Sequence, residues 1–252
     1  MRDGKVVAIH QPNVFPWLGY FNKIVHADVF IILDNVQFQK TGGNWSNRVQ
    51  IVVNGKAGWM TIPVDRTYHG VRLVREMLID HGPWRSKLTH TLRHNYKRAP
   101  YFETVFPVLT ELINNPADRL AEYNLTAIRA LTEALRLDSA KILVGSSLKV
   151  NGKATELLIA MVKAVGGTAY FCGGRAGGYQ EDETFGAEGV NLIYQDFQHP
   201  VYPQGNSTVF IPGLSIIDTL MQCGFPQTRQ LIMSSPPPVS AQTNLRRPAA
   251  TG

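Results

Sequence analysis

His10 and Gln11 stand directly after a short β-branched run, Val6 to Ile9, and Asp34 closes a second such run, Val29 to Leu33. An imidazole titrates near neutral pH, a carboxamide donates hydrogen bonds, and an acid at a strand end orients a histidine or binds a ribose hydroxyl. General acid-base chemistry needs a group that titrates near neutrality, and a reaction that develops negative charge on oxygen needs a donor placed to hold it. His10, Gln11 and Asp34 are therefore the catalytic candidates. Each also has a plainer use: His10 as a core brace for the Pro12 loop, Asp34 as the cap of the next turn.

A second polar group, Gln37, Asn44, Asn47 and Arg48, follows Asp34 in a loop containing Gly42-Gly43. The Arg48 guanidinium offers paired donors that suit a phosphate or carboxylate. Trp59 could stack on a base or sugar face, or belong to the core. Residues 172 to 179, Cys-Gly-Gly-Arg-Ala-Gly-Gly-Tyr, follow a predicted strand, so Gly173, Gly174 and Tyr179 are candidates for a phosphate cradle. The segment lacks the Gly-Lys-Ser/Thr ending of a Walker loop. Asp196, His199 and Tyr202 form a third group. The substrate-binding candidates are thus Gln37, Asn47, Arg48, Trp59, Gly173, Gly174, Tyr179, His199 and Tyr202. His90 and His94 share a helical face, but Arg85, Lys87, Arg93, Lys97 and Arg98 around them oppose a bound cation. That helix reads as a solvated or polyanion-binding face, and no metal is expected.

The elements that must position these residues follow from periodicity. Apolar residues at Leu18, Phe21, Ile24 and Val25 predict a helix over 17 to 27, between strands at 6 to 9 and 29 to 33. Such a unit makes parallel strands whose carboxyl ends face ligands, which puts His10, Gln11 and Asp34 at one edge. Asn54-Gly55 predicts a hairpin turn between strands at 48 to 53 and 58 to 64. Helices are predicted at about 84 to 97, 101 to 114 and 117 to 137, then a strand at 141 to 144 and a helix at 152 to 165. Strands follow at 168 to 171 and 191 to 194. The fold class expected is α/β, a parallel-sheet Rossmann-like core with a helical insert and a β-hairpin. One α/β domain is expected over 1 to 233 with its insert at about 84 to 137, and a Ser-, Pro- and Ala-rich flexible tail over 234 to 252.

The chain has 252 residues, 44% apolar and 17% charged, with 22 Gly and 15 Pro, which is a globular composition rich in turns. A net charge of +6 and a pI near 9.4 favour phosphorylated ligands or polyanions. Two cysteines, no apolar signal core and no membrane-length apolar run predict a cytoplasmic protein with free thiols and no membrane partner.

The segment from His10 to Phe21, with Asp28 and Leu33-Asp-Asn-Val-Gln-Phe38, resembles the opening signature of the WbqC-like family. The likeness continues through Asn47-Arg48, Trp59 to Pro63, Phe197 to Gln204 and Leu214 to Asp218, so it spans about residues 6 to 226. Val14 stands where tyrosine is expected and Cys172 where serine is expected. The resemblance implies an aminoacyl transferase that attaches glycine to the amino group of a nucleotide-activated amino sugar or related amine, in glycan or natural-product assembly. The acyl source is open between ATP-dependent activation and an aminoacyl-tRNA. A more distant likeness to HIGH-type nucleotidyltransferases, whose second histidine is missing here, bears on fold class. Two other functions fit the same residues: a non-catalytic ligand-binding or scaffold protein of a glycan-assembly pathway, and a tRNA- or nucleic-acid-binding protein whose basic helix carries the contacts.

Overall fold

The β-branched runs beginning at Val6 and Val29 are buried on both faces, as central strands of a parallel sheet must be. The computed structural model describes residues 4–40, 45–173, 182–205, 207, 209–234 and 239–240. Within these residues the elements run β1 (Val6–His10), α1 (Leu18–His26), β2 (Val29–Ile32), β3 (Arg48–Val53), β4 (Lys56–Thr61), α2 (Trp84–Tyr96), α3 (Phe102–Ile113), α4 (Leu120–Ala134), β5 (Ile142–Val144), α5 (Ala154–Ala164), β6 (Ala169–Gly173), α6 (Asp182–Ala187), β7 (Asn191–Gln195), α7 (Ile216–Met233) and β8 (Val239–Ser240). Short 3-10 turns lie at Val74–Glu76 and Gly145–Leu148.

The main sheet has the order β5-β2-β1-β6-β7-β8. Its first five strands are parallel, and β8 pairs antiparallel with β7. This is the α/β, Rossmann-like core that the alternation of strands and helices predicts. The hairpin β3–β4 stands apart, with Asn54 at φ 51 and Gly55 at φ 75 making the left-handed turn expected of an Asn-Gly pair. The insert helices α2, α3 and α4 fall within two or three residues of their predicted limits.

Strand alternation divides the core in two. Val6, Ala8, Phe30, Ile32, Ala169 and Phe171 face a large cluster built with α1, the insert helices and α7. Val7, Ile9, Val29, Ile31, Tyr170 and Cys172 face a smaller one made with α5 and Phe185. The chain therefore winds outward from β1 through β2 to β5, and then returns across the sheet to add β6 and β7 on the other side. The direction of winding reverses between β1 and β6, and doubly wound sheets take their ligands in the crevice above such a reversal.

Periodicity alone does not reveal α7. Gly224, at φ 69 and ψ 173, kinks the helix, and Pro226 follows it, so the apolar repeat is broken where the helix passes from one half to the other. No helix among the described residues is long and apolar enough to cross a membrane.

Candidate active site

His10 ends β1 opposite Ile32 of β2. On the other side Ala8 pairs with Phe171, and continuing that register by two residues brings Gly173 level with His10. Gly173 in turn pairs with Gln195, the last residue of β7. His10 and the first residue of the glycine-rich stretch thus stand on the two strands that flank the reversal point. Gly174 and Tyr179 lie outside the described residues.

The His10 ring is half-buried. Its Nδ1 lies 3.1 Å from the Gln11 carbonyl oxygen, which can only accept, so Nδ1 carries the proton and Nε2 keeps the lone pair. Tyr20 packs edge-on against the ring at 4.8 Å and donates its hydroxyl to the same carbonyl at 3.1 Å. Burial, with the nearby Lys23 ammonium, depresses the His10 pKa to about 3. This imidazole is neutral at physiological pH. It remains a hydrogen-bond acceptor.

The loop after His10 is held by long-range contacts. Phe15 has the positive φ of 36, unusual for a bulky residue, while its carbonyl accepts the Ser215 hydroxyl at 2.6 Å. Asn124 of α4 donates to both the Pro12 carbonyl, at 2.8 Å, and the Ser46 carbonyl, at 2.7 Å. One buried carboxamide therefore ties the β1 loop to the segment leading into the hairpin. Trp45 O accepts from Val14 N at 3.1 Å, and Ser46 Oγ lies 3.5 Å from Gln11 Oε1.

Asp34 does not reach His10. Its carboxylate accepts from the Ser146 amide at 2.8 Å and the Ser146 hydroxyl at 2.7 Å, which clamps the end of β2 to the turn after β5. It lies on the wall of a cavity of about 370 Å³ shared with Arg75, Glu76, Arg119 and Ser146. With both oxygens committed to Ser146, Asp34 is a brace beside this cavity, and the histidine-orienting role expected of it is not what the geometry provides.

The remaining candidates scatter. Asn47 is buried, donating to Ile62 O at 3.0 Å, and so pins the hairpin rather than facing solvent. Gln37 is exposed and bridges Leu73 through its backbone. Arg48 stacks on Trp59 at 4.2 Å, and Trp59 lies 5.8 Å from Trp45. The two tryptophans are 48% and 46% exposed, so Trp59 is a surface platform rather than core. His199 packs on Trp17 at 5.2 Å, and its Nδ1 accepts the Gly213 amide at 3.2 Å. Burial holds its pKa below the usual histidine range. Tyr202 is not available to a substrate: its hydroxyl donates to Asp218 at 2.9 Å in a buried network. His94 lines a separate polar cavity of about 320 Å³ with Lys97, Arg98 and Gln222. Among the described residues no group of three or more His, Cys, Asp or Glu is arranged to hold a metal ion.

Sequence reasoning misses Lys23 and Trp45. Lys23 is 3% exposed, with Nζ 6.0 Å from the centroid of the Phe171 ring, and desolvation lowers its pKa to about 8. The apolar stripe Leu18, Phe21, Ile24, Val25 assigns Lys23 to the wet face of α1. That helix is instead enclosed on nearly all sides, with Gly19, Tyr20, Asn22 and Lys23 buried as well. Gln195, donating to Gly19 O and to Asn22 Oδ1, covers part of the face that the stripe leaves polar. Trp45 has a signal, a tryptophan beside a polar loop, that gains meaning only once Trp59 is seen next to it.

Comparison with known proteins agrees with the resemblance read from the residues. The profile of the WbqC-like protein family matches residues 11–230. A protein of Mycobacterium tuberculosis described as "Uncharacterized protein Rv1507c" is 29% identical over 224 residues, covering 87% of this chain and 94% of its own. No solved structure matches the chain.

Proposed function

This chain belongs to the WbqC-like protein family, and from that premise we propose that it is an amide-forming transferase, delivering an aminoacyl group, glycyl in the simplest case, to the amine of an amino-sugar nucleotide or a related amine. One observation carries the reading: His10 and Gly173 stand on the two strands flanking the reversal point of a doubly wound sheet, where such folds hold substrates. In the reaction the amine nitrogen forms a bond to the acyl carbon, and the bond from that carbon to its ester or phosphoanhydride oxygen breaks. The proton lost by nitrogen balances the one taken up by the leaving oxygen. Neutral His10 accepts a hydrogen bond from the amine through Nε2 and so aims the nitrogen lone pair. Holding the Nδ1 proton on the Gln11 carbonyl keeps that tautomer in place.

The donor that the surface favours is an aminoacyl-tRNA. Trp45, Trp59 and Arg48 make an open platform of two aromatic faces and a cation, suited to unpaired bases, whereas a small nucleotide normally takes an enclosed pocket. The platform adjoins the site, because Trp45 bonds to Val14, four residues beyond His10 and at most about 14 Å of chain away.

Mass spectrometry of products from purified protein, an amino-sugar nucleotide and either glycyl-tRNA or glycine with ATP tests the proposal. Amide product is expected, with the rate reduced about a hundredfold in His10→Ala through loss of that orientation. No product with either donor across a panel of amines refutes it. The same platform favours one further reading, an RNA-binding protein without transfer activity. That reading predicts tRNA binding that weakens steeply with salt and ignores the acyl group.

A further inference from the structure

Lys23 is buried, yet among the described residues no carboxylate pairs with it; the ion pairs there join Arg72 to Asp65, Arg119 to Glu122 and Lys163 to Glu188. An ammonium taken out of water without a counter-charge costs several kcal/mol unless something else supplies the charge. The placement of Lys23 indicates where that charge comes from. Side chains on a helix lean toward its N-terminus, and the N-terminus of α1 lies at the carboxyl edge of the sheet. The lysine therefore reaches back toward His10 and over Phe171, two residues before Gly173.

We propose that Lys23 Nζ anchors an anionic group of the substrate in the crevice between β1 and β6, the group being a phosphate of a nucleotide or a carboxylate of the acyl donor. The inference rests on the reading of this edge as the substrate site but not on the transfer reaction. The anion completes a charge pair that the protein leaves open, so binding fixes the proton on Lys23. Because desolvation holds the empty-site pKa at about 8, binding takes up a proton at any pH above that value. Affinity then falls about tenfold for each pH unit above 8. The titratable groups near Lys23 are His10 from β1 and Cys172 from β6, α1 itself carries Tyr20 and His26, and β2 contributes no titratable side chain. α7, which packs against α1, carries Asp218, Cys223 and Arg229, of which Asp218 is taken by Tyr96 and Tyr202. Tyr20 lies well above 10 and Cys223 near 11, which leaves Lys23 and Cys172 to be separated by mutation.

Calorimetric titration of the full chain with uridine diphosphate, adenosine triphosphate, pyrophosphate, glycine and acetate, each from pH 7 to 9.5, is the test. The wild type is expected to bind at least one probe with the pH slope described. Cys172→Ser should keep that slope, exposed Lys149→Met should match the wild type, and Lys23→Met should bind about thirtyfold more weakly with a flat profile. Dependence with the phosphates alone assigns the subsite to a nucleotide, and dependence with glycine or acetate alone assigns it to the acyl donor. If folded Lys23→Met binds every probe as the wild type does, or the wild type binds none, the proposal is overturned. Binding through Lys23 without any acyl transfer retains the subsite and removes the transferase reading.

Discussion

Asp218 and Lys23 are both buried residues, but the protein treats their charges in opposite ways. Asp218 accepts the Tyr96 hydroxyl at 2.8 Å and the Tyr202 hydroxyl at 2.9 Å, and Tyr96 in turn accepts the Val52 amide at 3.0 Å. Its hydrogen-bonding capacity is used inside the fold, joining α7, α2, the hairpin and the segment after β7. Lys23 has an aromatic face, a neutral imidazole and the Cys172 thiol for company, and among the described residues no carboxylate pairs with it. A buried ionisable group saturated by protein donors braces the structure. One left unsaturated at a sheet edge is a cost to the fold that only a ligand offsets.

Removing each group should therefore move stability in opposite directions. Asp218→Ala strands two tyrosine hydroxyls in the interior, and urea denaturation should show a loss of about 4 kcal/mol. If that loss is under about 1 kcal/mol, the network is not the brace described. Lys23→Met keeps the volume and deletes the unpaired charge, so it should raise stability at pH 7 by roughly 2 to 3 kcal/mol. The sign follows from linkage. The folded pKa of about 8 lies below the unfolded value, so the penalty is complete below pH 8 and lifts as pH rises from 8 past the unfolded lysine value. The advantage of Lys23→Met should shrink over that window, and a destabilised Lys23→Met would mean that the lysine is satisfied within the protein after all.

Asp218 supplies the complementary titration. Burial raises its pKa to about 6 against the donating effect of the two tyrosines. A carboxyl with a raised folded pKa adds stability that is complete below its unfolded value and is lost as pH rises through the folded one. Relative to Asp218→Asn, the wild type should gain roughly 2 kcal/mol as pH falls from about 6 to about 4. His10 works against this gain in the wild type, because its depressed pKa makes the unfolded chain the stronger proton binder at those pH values. The comparison must therefore be between the two proteins at each pH, and identical acid profiles would remove Asp218 as a buried titrating group.

The contrast also marks what a linear reading can reach. The strand before His10, the Asn54-Gly55 turn and the insert helices are local patterns, and local patterns survive without neighbours. The polar residues after the strands were legible as a class but not as partners. Tyr202 belongs with Asp218 sixteen residues onward, and Asp34 belongs with Ser146 across 112 residues of chain. The brace from Asn124 to Pro12 and Ser46 is likewise set by folding, since an asparagine inside a helical run gives no sign of its target. Lys23 was hidden for a different reason: periodicity assigns it to solvent, and only the covering of that side of α1 makes it unusual.

Arg48 extends the comparison to a cation that stays wet. It lies 4.2 Å over the exposed Trp59 ring, where water still solvates the guanidinium, so the stack costs the fold little and contributes little to its stability. Trp59→Ala should change unfolding free energy by less than about 0.5 kcal/mol. Its effect should appear only with a ligand, as a weakening of about tenfold for a short single-stranded RNA measured by fluorescence anisotropy at fixed salt. Trp45→Ala should weaken binding similarly, and the double variant more than either, because two rings accept two successive bases. Unchanged RNA affinity in the double variant would leave the platform without an occupant and return the choice of acyl donor to glycine activated with ATP.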